Sequence, residues 1–165
     1  MDGVPALNPV LTIAAVPFDH PVAAVLIEEL DADLDARYQD GTLVQADASQ
    51  FLAQRRGRFF LAHLGDDPAG CAGIRHEADR ADGASAAELK RMYVRPSARG
   101  RGLARALLAS CEDAARELRY AELWLETGAR QPEAIALYVS SGYTPIERFG
   151  QFAGAADAVH LGKAL

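Results

Sequence analysis

Aromatic residues make up only 7% of this 165-residue chain, so alanine, leucine and valine must fill most of any core. No apolar run approaches the roughly 20 residues that a membrane-spanning helix needs. The apolar stretch 10–16 is too short even for a signal core with a cleavage site, and no basic stretch precedes it. Cysteine is nearly absent. Cys71 and Cys111 fit no metal-binding spacing, and two thiols form no disulfide framework. A reduced, cytoplasmic compartment is therefore the expectation, with no metal. Positive charge is outnumbered, with 17 Lys and Arg against 23 Asp and Glu and a net charge of −6. That balance argues against general binding to nucleic acid or to an anionic membrane surface. Internal repeats, linkers and low-complexity segments are also missing, so the length points to one domain.

What is present is a well-patterned α/β sequence, 50% hydrophobic. Residues 1–9 carry two prolines and no periodicity, and read as a flexible tail before a domain spanning 10–165. Residues 10–16 fit a first strand. Helical spacing follows over 22–38, with Val22, Val25, Leu26, Leu30 and Leu34 on one face, Pro21 at the start and Gly41 as the stop. A short helical piece is expected near 48–54. Residues 59–64 and 69–75 read as a hairpin around Gly65-Asp66-Asp67-Pro68, and 77–85 as a mobile polar loop. Residues 87–94 form a strand, 102–118 a strong helix with Leu103, Leu107 and Leu108 inward, and 121–126 another strand. A helix over 132–140, ended by Gly142, and strands at 143–148 and 158–163 complete the chain. The strand–helix–strand unit in the middle requires a right-handed parallel crossover, whereas the hairpin requires antiparallel neighbours. The class is thus α/β (α+β), with a mixed, mostly antiparallel central sheet and helices on both faces.

The most informative segment is Arg99-Gly100-Arg101-Gly102-Leu103-Ala104, set between a strand and a long helix. Glycine tolerates positive φ and lets the backbone approach a ligand. The first N–H groups of a helix have no partner within it and attract anions. Arg99, Arg101 and Arg105 add positive charge in an acidic protein, which points to a phosphate site; the plain alternative is a solvated turn. No Gly-Lys-Ser/Thr follows, and the G-x-G-x-x-G spacing is absent, so neither a mononucleotide loop nor a dinucleotide fingerprint fits.

Residues 99–104 match the pyrophosphate signature of the GNAT N-acetyltransferases, (Gln/Arg)-x-x-Gly-x-(Gly/Ala). Downstream, Gln131, Ala134, Tyr138, Gly142 and Tyr143 resemble that family's Asn-x-x-Ala-x-x-x-Tyr-x-x-x-Gly-(Phe/Tyr) pattern, with Gln131 where Asn is frequent. The resemblance is strongest over 86–148 and implies a single GNAT domain that uses acetyl-CoA. It implies that backbone N–H groups from Arg101 to Arg105, with Gly102, Leu103 and Ala104 between them, hold the pyrophosphate. It also implies that pantetheine lies between the strands ending at Val94 and Glu126. The backbone of Met92, Tyr93 and Val94 should then meet the pantetheine and the thioester carbonyl, where an N–H could stabilise an oxyanion.

Acyl transfer to an amine needs a neutral nucleophile and a protonated leaving thiolate. Tyr138 matches the family tyrosine near the coenzyme A sulfur and is the candidate acid; the alternative is a tyrosine packed on the sheet. Glu88 stands where histone-acetylating members carry a general base, and its alternative is an ion pair with Lys90 on the same strand face. Glu126 is the second candidate base, or a group that binds a substrate cation. Glu28 and Glu29 lie on the acidic face of the first helix, which commonly borders the acceptor site in this family. The four histidines show no metal-ligand spacing and are read as structural. With regular alternation, Arg91 and Tyr93 lie on the face opposite Glu88, unless a bulge intervenes. The expected reaction is acetyl transfer from acetyl-CoA directly to a primary amine of a small molecule, by a monomer or homodimer. The competing readings are acetylation of a protein lysine or N-terminus, and a non-catalytic acyl-CoA sensor. The presence of both Glu88 and Tyr138 favours catalysis.

Overall fold

The computed structural model of the protein describes residues 9–39 and 47–165. Among these, seven strands form one sheet in the order β1-β2-β3-β4-β5-β7-β6. The strands are β1 (Leu11–Val16), β2 (Arg58–Leu64), β3 (Asp67–Asp79), β4 (Ser85–Val94), β5 (Glu122–Gly128), β6 (Thr144–Pro145) and β7 (Ala158–Ala164). The helices are α1 (Pro21–Tyr38), α2 (Leu103–Glu117) and α3 (Pro132–Ser140). Only β4 and β5 pair in parallel, joined by the crossover through α2; every other pair is antiparallel.

The period-two alternation of the strands separates two cores. Phe60, Ala62, Ala72, Ile74 and Leu89 pack against Leu103, Leu107, Leu108 and Cys111 of α2. Their neighbours Phe59, Leu61, Cys71 and Tyr93 face the other way, against Ala23, Leu26 and Leu30 of α1 and Phe51. Full burial of a leucine such as Leu26 or Leu107 contributes about 1.5–3 kcal/mol, so these stripes suffice to pin each helix to its face.

Several boundaries differ from the sequence expectation. Val25 is 47% exposed, because the buried stripe of α1 runs through Ala23, Leu26 and Leu30 instead. α1 ends at Tyr38, where Gln39 adopts φ 55° and donates its N–H to the Asp35 carbonyl. The expected stop at Gly41 and most of the expected tail fall outside the described residues. The segment read as a mobile loop at 77–85 is mostly hairpin: β3 continues to Asp79, β4 begins at Ser85, and only residues 80–84 turn. Its polar side chains are paired in the sheet, as where Arg75 of β3 bonds both Glu77 and Glu88. The closing strand expected at 143–148 shrinks to Thr144–Pro145.

Candidate functional site

β4 and β5 pair only from Ala86 opposite Glu122 to Leu89 opposite Leu125. Both strands then continue, β4 to Val94 and β5 to Gly128, without pairing, so the sheet splits. The cause is a bulge in β4: Gly73 pairs with Lys90 but Cys71 pairs with Tyr93, and Arg91 takes up the slack at φ 56°. The bulge turns β4 away from β5 and leaves the β5-facing edge of Met92, Tyr93 and Val94 without a strand partner. It also resets side-chain direction. Arg91 bonds Asp31 of α1, and Tyr93 packs in the α1-side core, so both share the face of Glu88 rather than the opposite one.

α2 begins beside this split. Gly100 and Gly102 adopt φ 75° and 83°, which side-chain-bearing residues rarely tolerate, and Gly102 is the helix N-cap. The first helical bond runs from Ala106 N–H to the Gly102 carbonyl, so the N–H groups of Leu103, Ala104 and Arg105 precede the ladder and point out of the helix start. A carbon added at either glycine would meet nothing within 4 Å, so the turn is open to a ligand. Arg99, Arg101 and Arg105 are exposed around it. Arg99 donates to the Val94 carbonyl at 3.0 Å, and Arg105 reaches Ser140 at 2.8 Å, which joins the α2 start to the end of α3.

Tyr138 lies between these parts. It belongs to the α2-side core, is 6% exposed, and places its hydroxyl 3.5 Å from the Met92 sulfur. Its backbone is held by the end of α3, where Tyr143 N–H bonds the Tyr138 carbonyl and Gly142 N–H the Val139 carbonyl. Burial raises its phenol pKa, with Cys111 and Glu126 adding to the effect, so the hydroxyl keeps its proton at neutral pH. Through the split, Tyr138 also borders a cavity of about 410 Å³ on the α1 side of the sheet. That cavity is walled by Leu30, Leu34 and Tyr38 of α1, by Gln50 and Phe51, by Met92 and Glu126 on the diverging strands, and by Phe152 and Asp157 before β7. Gly128 makes one wall possible, since a side chain there would lie 1.8 Å from the Tyr38 hydroxyl. Gln131 donates to that hydroxyl at 3.2 Å, and Arg37 pairs with Glu133 at 2.6 Å, so the end of α1 is tied to the start of α3.

The carboxylates proposed from sequence have different surroundings. Glu88 is 2% exposed; one oxygen accepts from Arg75 at 2.9 and 2.6 Å, and the other pairs with Lys90 at 2.9 Å. Arg75 and Lys90 border the cavity, and Glu88 sits behind them. Glu126 borders the cavity directly and has no hydrogen-bond or ion-pair partner among the described residues. Burial raises its pKa above the ordinary carboxylate value; Lys90 opposes this, and the negative charges of Glu88 and Asp157 reinforce it.

Glu28 and Glu29 are not on the cavity wall. Glu28 faces solvent, while Glu29 is clasped by Arg95 at 2.9 and 2.7 Å, hydrogen bonds that hold its pKa below the ordinary value. α1 presents Asp35 to the cavity instead, because the buried stripe sets a different face of the helix toward the sheet. Tyr38, Arg75 and Phe152 were not identified from sequence. No local motif marks them, since their roles arise from contacts across the fold. Both cysteines are buried free thiols; burial pushes Cys71 up to about 12 and Cys111 higher still, so neither is a ready thiolate. His160 is 5% exposed, and burial lowers its pKa. Among the described residues, no group of three or more His, Cys, Asp or Glu is arranged to hold a metal ion, and no helix is long and apolar enough to cross a membrane.

The family model for the acetyltransferase (GNAT) family matches residues 23–143. An IAA acetyltransferase of Azospirillum brasilense is 38% identical over 127 residues, which are 77% of this chain and 80% of that one. Among solved structures, a Klebsiella pneumoniae protein assigned as an acyl-CoA N-acyltransferase superposes with a TM-score of 0.76 at 28% identity, over 96% of this chain and 99% of that one. A GNAT acetyltransferase of Elizabethkingia anophelis solved with acetyl-CoA bound shares the fold, with a TM-score of 0.66 at 18% identity, over 94% and 98% of the two chains. Split sheet, open helix start and placed tyrosine thus accompany a match over most of the chain, and the protein belongs to the GNAT family, as an acyl-CoA-dependent N-acyltransferase.

Proposed function

We propose that the protein transfers acetyl from acetyl-CoA directly to a primary amine of a small molecule, with both substrates bound at once. The observation that carries this reading is the split between β4 and β5, which borders a cavity on the α1 side of the sheet. The α2 start and its arginines lie beside the split on the other side. The residues present fit acetyl-CoA. The N–H groups of Leu103, Ala104 and Arg105 suit the pyrophosphate, with Gly100 and Gly102 clearing the approach and Arg99 and Arg101 adding charge. The unpaired edge of Met92, Tyr93 and Val94 suits pantetheine and the thioester oxygen. Gln131 borders the cavity at the start of α3, with its side chain on the Tyr38 hydroxyl and its backbone bonded to Gly128, Ala134 and Ile135, so it shapes the site rather than binding the cofactor directly. Tyr138 keeps its proton and reaches into the split, so it serves as the acid that protonates the leaving sulfur. A cavity of about 410 Å³ suits a small acceptor, in keeping with the relative named for IAA.

The test is a screen of primary amines with acetyl-CoA, detecting free thiol and the acetylated product. Amine-dependent thiol release supports the reading. Transfer only to peptide lysines or N-termini would favour the protein-acetylating alternative. Tight acetyl-CoA binding without any transfer would favour a sensor.

A further inference from the structure

We propose that Glu126, rather than Glu88, is the general base that takes the proton from the acceptor ammonium; this rests on the reading of the cavity as an amine site. Both oxygens of Glu88 are engaged, and Arg75 and Lys90 stand between it and the cavity. An amine would have to displace a buried, doubly paired carboxylate from its partners, which is unfavourable. Glu126 stands on the wall just past Leu125, where the β4–β5 ladder has ended, with no ion-pair partner among the described residues. Glu126 and Tyr138 border the same cavity at the split, so a base and an acid flank the gap where the thioester must lie. Lys90 and Glu88 on β4, Asp157 ahead of β7, Tyr138 on α3, Asp35 on α1 and Arg75 on β3 surround the site, and His160 is the cross-strand partner of Glu126. Lys90 and Arg75 are both already paired with Glu88, and burial keeps the Glu126 carboxyl basic.

Glu126 accepts one proton from R–NH3+ and becomes neutral, leaving R–NH2. The nitrogen lone pair forms the C–N bond at the thioester carbon, and the carbonyl pair moves onto oxygen, then returns as the C–S bond breaks. Tyr138 gives its proton to the departing sulfur and regains one from the nitrogen. Glu126 finally releases its proton to solvent, so the products are the amide, free thiol and H+.

The variants are Glu126→Gln and Glu88→Gln, and the probe amine is 2-phenylethylamine, whose ammonium and apolar body match Glu126 and the Phe51–Phe152 walls. With wild type, kcat/KM should rise with pH as Glu126 ionises. Glu126→Gln should lower it about 10²–10⁴-fold near neutrality, with the loss shrinking toward high pH, where free amine is supplied by solution. Glu88→Gln should keep the wild-type shape of the pH profile. The reverse pattern, with Glu88→Gln losing the pH-dependent limb and Glu126→Gln keeping it, overturns the proposal. A second readout needs no acceptor: in 13C-labelled protein, the Glu126 side-chain carboxyl should titrate above the exposed glutamates. A midpoint at or below theirs overturns the assignment. If wild type binds acetyl-CoA but acetylates no amine, the reading of the cavity as an amine site fails and the assignment falls with it; turnover of the amine with the reversed variant pattern overturns the assignment alone.

Discussion

The two halves of the β4–β5 junction carry the same kind of side chain in opposite circumstances. In the paired half, Glu88 is enclosed and satisfied by Arg75 and Lys90. In the split half, Glu126 is mostly buried, borders a cavity and has no such partner among the described residues. A satisfied carboxylate holds strands in register; one mostly buried and left without a partner costs stability, and such perturbed groups cluster at functional sites. The bulge at Arg91 is the boundary between the two circumstances, since it ends the ladder and opens the gap.

The largest effect that would sharpen this contrast is on the rate. Tyr138→Phe keeps the ring packed against Tyr143 and Met92 and removes only the hydroxyl. It should lower kcat by about 10²–10⁴-fold, with acetyl-CoA affinity by calorimetry little changed. Full kcat, with chemistry shown to be rate-limiting, would make Tyr138 a packing residue. Next comes stability in the paired half. Glu88→Gln leaves Arg75 and Lys90 without their shared carboxylate, and since both still touch solvent the loss should lie near the low end for a broken buried pair, about 3 kcal/mol. Urea unfolding at neutral pH measures it; a change below ~0.5 kcal/mol would break the contrast. The smallest effect has the opposite sign. A carboxyl whose folded pKa is raised favours the fold while protonated, and that advantage is lost as pH rises through the raised pKa. Glu126→Gln should therefore be more stable than wild type at neutral pH, by roughly 1–3 °C in Tm, and should lose that advantage below the ordinary carboxylate range. A lower Tm at neutral pH would mean that Glu126 has a stabilising role.

Sequence made one kind of feature legible and concealed another. The α2 start, Gly102 and the α3 tyrosine stand out because turn chemistry and helix spacing are local. The parallel β4–β5 pair follows from chain order, since a strand–helix–strand unit has few ways to close. Arg91 resisted reading because a bulge is a mismatch between two strands and leaves no mark on either alone. The Arg75–Glu88 pairing depends on the register of a hairpin whose turn, residues 80–84, is shorter than the polar stretch 77–85 suggests. The cavity wall at Phe152 and Asp157 comes from an irregular segment without periodicity, and Tyr38 meets Gly128 only once α1 lies on the sheet.

The central claim is that the split half of the junction is the reaction centre, and a crystal structure with coenzyme A bound tests it most directly. The pyrophosphate should lie on the N–H groups of Leu103, Ala104 and Arg105. The sulfur should lie in the gap between Met92 and Glu126, within reach of the Tyr138 hydroxyl. Coenzyme A bound away from the α2 start, or a sulfur lying outside that gap, would contradict it.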